Sequence, residues 1–176
     1  MRTILVAAIF LIGLLVIGCG YKPAPVGPAA ENKPAPSNPN LPKRDAPLPD
    51  AAYKAELSLV DPLTTMKPGE KRQIKINVKN ASPVLWLVYG SQPDIKYRVA
   101  VGNGWLDSNQ KLITKMDGRI GLAADLPAGG TVQVQMGITA PAKAGEYYLM
   151  LDMVQEQVTW FEEKGSPVFK TKVTVQ

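Results

Sequence analysis

The chain contains no histidine and a single cysteine, Cys19. Without an imidazole, the usual base of nucleophile-and-base pairs is missing. Without a second thiol, no disulfide can form within one chain, so the fold has to rest on its apolar core. Aromatic residues are scarce at 7%, with only three tryptophans. Each large ring therefore has to be accounted for as core or as contact surface. No segment carries the apolar period of a convincing amphipathic helix. Together these absences weigh against catalysis and helical architectures, and leave an all-β binding or scaffolding protein.

What is present divides the chain into three parts. Residues 1–18 read as a secretion signal, with Arg2 as its positive start and an apolar run over residues 4–17. That run is too short for a standard membrane-spanning helix. Val16-Ile17-Gly18-Cys19 then matches a bacterial lipobox: a branched apolar residue, a small residue before the scissile bond, and a thiol for the lipid. Lipidation at Cys19 is expected, and with it a partner in the membrane lipid. Gly20 follows, with no aspartate there to retain the protein at an inner membrane. The expected location is the cell envelope, on the outer membrane where the host has one.

Residues 19–50 form the second part, the lipidated cysteine and a tether. Nine of the residues in 20–50 are proline, and most others are Ala, Asn, Lys and Gly. Such a composition has too little apolar surface to fold and favours extended polyproline geometry, so a disordered tether is expected. It would reach up to about 90 Å.

Residues 51–176 are expected to be one domain, near the modal domain size. Tyr53, Ala55, Leu57 and Leu59 alternate with polar residues, as do Ile74, Ile76 and Val78 and then Val132, Val134, Met136 and Ile138. This period of two marks strands with one buried face. Residues 84–89 are a short, wholly apolar run that suits a buried strand. Gly102-Asn103-Gly104 suits a tight turn or a bulge, and Asp117-Gly118 a turn. The segment 140–161 is the centre of the pattern. After a turn at Pro141 to Gly145, Tyr147, Leu149, Leu151 and Met153 take one face of a strand. Tyr148, Met150, Asp152 and Val154 take the other, which is largely apolar too. A strand apolar on both faces belongs in the middle of a sheet. About eight strands with turn signals every 8–12 residues predict an immunoglobulin-like antiparallel β-sandwich. The turn into Tyr147 has the form of a tyrosine corner.

Several motifs carry a resemblance. Trp105-Leu106-Asp107, Asp117-Gly118-Arg119, Leu126-Pro127-Ala128-Gly129, Ala140-Pro141, Gly145-x-Tyr147-x-Leu149, Asp152-x-Val154-x-Glu156, Trp160-Phe161 and Gly165 occur in that order. Over residues 97–176 the chain resembles the sandwich domain of bacterial envelope and polysaccharide-biosynthesis proteins, often appended to glycosyltransferases or methyltransferases. Members often carry a histidine before the tryptophan; here Gly104 takes that place. The resemblance implies a non-catalytic accessory module.

No catalytic residues, cofactor or metal are expected. Ser82, Ser91, Ser108 and Ser166 sit in turn-like contexts. Asp107 and Asn109 lack the oxygen spacing of a calcium loop. A glycosidase-type carboxylate pair from Asp107, Asp117, Asp152 or Glu156 is disfavoured, because each acid has a structural use. Asp152 and Glu156 are expected to pair with Arg119, since an acid on a central strand needs a partner. Trp105, Trp160 and Phe161 are the ligand candidates, because aromatic faces stack on sugar rings. The same rings also fill sandwich cores. The formal net charge is +5, with basic residues scattered. Solvated strand faces account for them, and attraction to anionic lipid or polysaccharide is the alternative. Nucleic acid is not an expected partner in this compartment. The expected function is presentation of a binding module for glycan or an envelope protein. The alternative is a structural subunit that adds a strand to a partner at a sheet edge.

Overall fold

The computed structural model of the chain describes residues 42–87 and 95–176. The signal segment, the Cys19 lipobox, the tether as far as residue 41, the end of the expected strand 84–89 and the loop after it lie outside the described residues.

Nine strands run through the described residues: β1 (Ala55–Leu59), β2 (Thr65–Met66), β3 (Lys71–Asn80), β4 (Val99–Leu106), β5 (Leu112–Gly121), β6 (Thr131–Thr139), β7 (Gly145–Gln155), β8 (Thr159–Trp160) and β9 (Phe169–Val175). They form two sheets. One has the order β1-β3-β6, the other β2-β9-β7-β4-β5, with β8 paired to β7. Every pairing is antiparallel except the short β2–β9 contact. This is the immunoglobulin arrangement, in which the first, second and fifth strands face the sheet built from the third, sixth and seventh. The chain is thus an all-β, immunoglobulin-like sandwich.

Alternation places the core between the sheets. Ile74, Ile76 and Val78 of β3 and Val134, Met136 and Ile138 of β6 meet Leu149, Leu151 and Met153 of β7. β7 lies between β9 and β4, and its second face is also closed, with Met150, Asp152 and Val154 buried. At the entry to β7 the Tyr147 hydroxyl donates to the Lys143 carbonyl at 3.0 Å, which closes a tyrosine corner.

Three local expectations are decided by strand pairing and packing. Of the tight turn or bulge expected at Gly102-Asn103-Gly104, the bulge forms: the segment lies inside β4, where the register against β5 shifts between the two glycines. Asp117-Gly118 is not a turn, and β5 runs through it. The buried Asn103 side chain accepts from the Gly118 N–H at 2.7 Å, and Asp117 Oδ2 accepts from the Thr139 N–H at 2.5 Å. A side chain on Gly118 would meet the Gly137 carbonyl at 2.4 Å, so glycine permits this approach between β5 and β6. The third concerns the boundary expected at residue 51. Leu48 is buried in the core cluster, and Arg44 pairs with Asp125 at 2.5 Å. The folded unit therefore includes residues 44–50, because Leu48 supplies apolar surface that an otherwise proline-rich segment lacks.

Candidate functional site

The expected ligand aromatics separate into two groups. Trp105 is 1% exposed and meets Tyr147 edge-on at 6.5 Å between ring centres. Phe161 is fully buried between Tyr53 at 5.0 Å and Trp86 at 5.3 Å, both edge-to-face. Both are core residues: Trp105 faces inward from β4, and Phe161 is turned inward where the chain leaves β8 for the 3-10 turn. Trp86 belongs to the same cluster, and its indole N–H donates to the Ala52 carbonyl at 2.8 Å. Trp160 alone is half-buried.

Trp160 lies on the outer side of the larger sheet. Gly102 of β4 is paired with Asp152 of β7 on one side and Arg119 of β5 on the other. β8 folds back on β7 with Val154 opposite Trp160, which brings the indole over Gly102. A Cβ on Gly102 would lie 2.7 Å from the ring's Cη2, so the missing side chain is the slot that admits the ring. The Arg119 guanidinium stands 4.8 Å from the Trp160 ring centre, in cation–π geometry.

Arg119 also donates to Glu156 Oε2, and the Glu156 side chain is 3% exposed. The Asp152 carboxylate accepts from the backbone N–H groups of Met153 at 2.7 Å and Glu162 at 3.2 Å. It thereby ties the 3-10 turn Glu162–Lys164 to β7. Both acids are buried, so neither is presented as an acceptor for a sugar hydroxyl. What remains open is a shallow depression of about 250 Å³ bordered by Trp160, Arg119, Gln157, Val158 and Glu163.

Two further acids, Asp107 and Glu70, have structural uses. Asp107 Oδ1 accepts from the Asn109 and Lys111 N–H groups, both at 2.9 Å, and closes its own loop. Glu70 is held below its ordinary carboxyl range, first by the Lys67 N–H and then by the Arg72 guanidinium.

Sequence reasoning passed over one residue of consequence. Gln155 at the end of β7 is 1% exposed; its oxygen accepts from Leu48 N–H and the Tyr53 hydroxyl, and its amide donates to the Ala46 and Tyr97 carbonyls. A long polar residue ending an apolar central strand was the available signal. Burial, and secondly the Asp50 carboxylate, raise the Tyr53 phenol above its ordinary pKa.

No protein-family model matches the chain, and no curated protein matches it. Solved structures with a similar arrangement include the CARDB domain of a Pyrococcus furiosus protein, 13% identical with a TM-score of 0.41, covering 69% of this chain and 92% of that one. A β-glucosidase from Listeria innocua is 12% identical with a TM-score of 0.38, covering 68% of this chain and 16% of the enzyme. A family 123 glycoside hydrolase from Clostridium perfringens is 11% identical with a TM-score of 0.39, covering 70% of this chain and 27% of the enzyme. At these scores the likenesses carry no argument about function, and the immunoglobulin-like assignment stands on the strand order itself.

Proposed function

We propose that the chain is a lipid-anchored protein of the bacterial cell envelope. It holds a non-catalytic immunoglobulin-like module away from the membrane, where the module binds polysaccharide. The observation that carries this reading is Val16-Ile17-Gly18-Cys19, placed directly after an apolar run and containing the only cysteine of the chain. With the folded unit starting near Arg44, the span from the lipid to the domain is residues 20–43. In polyproline geometry that segment reaches about 75 Å. The alternative of strand addition is weaker at the edge strand β5. Its pairing to β4 is interrupted by two register shifts, and bulges of that kind twist an edge away from new partners.

The test has two arms. Cells fed a labelled fatty acid should label the intact protein, and Cys19→Ala should be unlabelled and absent from the membrane fraction. The intact, detergent-extracted protein should retain envelope polysaccharide from its own cells. Label on Cys19→Ala overturns the anchor, and failure to retain any polysaccharide overturns the binding reading.

A further inference from the structure

β3 carries its polar residues on one face of the smaller sheet. Lys71, Gln73 and Lys75 are exposed there, and Asn77 and Lys79 are partly so. Across the β3–β6 register, Lys75 stands opposite Gln135, Asn77 opposite Gln133 and Gln73 opposite Gly137. The three lysines recur every fourth residue of the strand, which spaces them by about 13 Å along a line of about 26 Å. Lys79 is tied to Glu56 at 2.9 Å. Among the described residues, Lys71 and Lys75 have no carboxylate within ion-pair distance.

The face is divided into three shallow depressions in a row. The first, of about 230 Å³, is bordered by Lys71, Gln73, Gly137 and Thr139. The second, of about 360 Å³, shares Gln73 and adds Lys75, Gln135 and Asp61. The third, of about 520 Å³, has Asn77, Lys79, Glu56 and Thr131. Gly137 keeps the first one open: the Gln73 amide nitrogen lies 3.1 Å from where a Gly137 Cβ would be. Among the described residues, none of the exposed large apolar side chains is on β3 or β6, and the one beside this face is Val60, 38% exposed, which continues β1 with its N–H on the Lys75 carbonyl. The face therefore offers a protein partner one aliphatic contact at its border and no aromatic anchor. It offers amides and hydroxyls, which both donate and accept, beside regularly spaced ammonium groups.

We infer that this face of β1-β3-β6 binds an acidic polysaccharide, lying extended along β3. The lysines take the polymer's carboxylates or phosphates, and Gln73, Gln133 and Gln135 take its hydroxyls. Charge complementarity favours the polyanion. The amides between the lysines favour a sugar chain over a bilayer, which would engage the ammonium groups alone. The inference rests on the proposal that the module binds polysaccharide, and it names the face and the polymer class.

The experiment uses the intact protein in detergent, with polygalacturonate as the acidic probe, dextran as the neutral one, and soluble glycerophosphoglycerol as the free headgroup of an anionic lipid. Polygalacturonate should bind, more weakly as salt rises, and dextran should not. The double variant Lys71→Gln/Lys75→Gln should weaken polygalacturonate binding by about tenfold, as two exposed charge contacts would. Both lysines are exposed, so its melting temperature should match the wild type. Gln73→Ala/Gln135→Ala should weaken binding severalfold without any change of charge. The inference is overturned if dextran binds equally well. It is also overturned if the free headgroup displaces polygalacturonate and only the lysine variant weakens its binding, which assigns the face to lipid. Retention of the cells' own polysaccharide by both double variants at wild-type strength places the sugar on another face; the broader function then stands and this inference falls. If neither the cells' polymer nor polygalacturonate is retained, both fall.

Discussion

The Leu48 N–H donates to Oε1 of Gln155 at 2.9 Å, across 107 residues of sequence. The same oxygen takes the Tyr53 hydroxyl at 2.7 Å. One buried amide thus satisfies the entering segment and the end of the central strand together. Unmet, those groups would cost about 1–3 kcal/mol each. The connection from tether to domain is consequently a docked strap and not a free hinge at residue 51.

Removing residues 20–41 should leave the melting temperature nearly unchanged, whereas removal continued through residue 50 should lower it. Leu48→Ala alone should cost roughly 2–5 kcal/mol, the range for truncating a buried leucine. The strap also covers Tyr53, whose phenol is raised above its ordinary pKa by burial and by Asp50. The unfolded chain releases that proton first, so this contribution to stability is intact below about pH 10 and is lost as pH climbs through the raised value. Ultraviolet titration of tyrosinate should show one late-titrating group that moves down in Leu48→Ala. An unchanged titration and melting curve would mean that the strap contributes nothing.

The Arg119–Glu156 pair should behave as a coupled unit. Removing Arg119 leaves the buried Glu156 charge without its partner, a loss of about 3–5 kcal/mol for a fully buried pair and less here, where Arg119 is 24% exposed. A double-mutant cycle by chemical denaturation should return a coupling of roughly 0.5–3 kcal/mol. Additive losses at Arg119 and Glu156 would contradict the pairing.

Gly102→Ala should displace the Trp160 ring, since the new methyl would stand 2.7 Å from Cη2. The overpacking should cost about 1–3 kcal/mol and change the near-ultraviolet circular dichroism. Trp160→Ala should cost less than Phe161→Ala, for which roughly 3–5 kcal/mol is expected. Combining Gly102→Ala with Trp160→Ala should relieve the clash. If the double variant is as unstable as the two losses added together, the ring is not seated on Gly102.

The strongly periodic strands were legible in the sequence. Ile74, Ile76 and Val78, and the two apolar faces of β7, leave one arrangement that buries them all. Only the first half of β5 was legible, as a short strand over residues 112–116; its continuation was not, because Asp117-Gly118 has the chemistry of a turn. Its polar groups are instead satisfied across space, by Asn103 on β4 and Thr139 on β6, which no local pattern reveals. Gln155 was missed for the same reason: its four partners come from residues 46–53 and from Tyr97, all distant in the chain.

Composition and period by themselves determined that this protein is a β-sandwich, that β7 is central, and that its core must hold without disulfides. They left Trp160 and Phe161 side by side, with both open as ligand contacts or as core. Trp160 ends β8 and Phe161 has already turned into the αR conformation ahead of the 3-10 turn, so alternation alone does not assign the two rings. Which is which depends on the register of β8 against β7. The Phe161 N–H donates to the Met153 carbonyl at 2.9 Å and Trp160 stands opposite Val154. That register sends Phe161 between Tyr53 and Trp86 and leaves Trp160 over Gly102. Only the tertiary structure could decide it, because the space for each ring is made by residues distant in the chain.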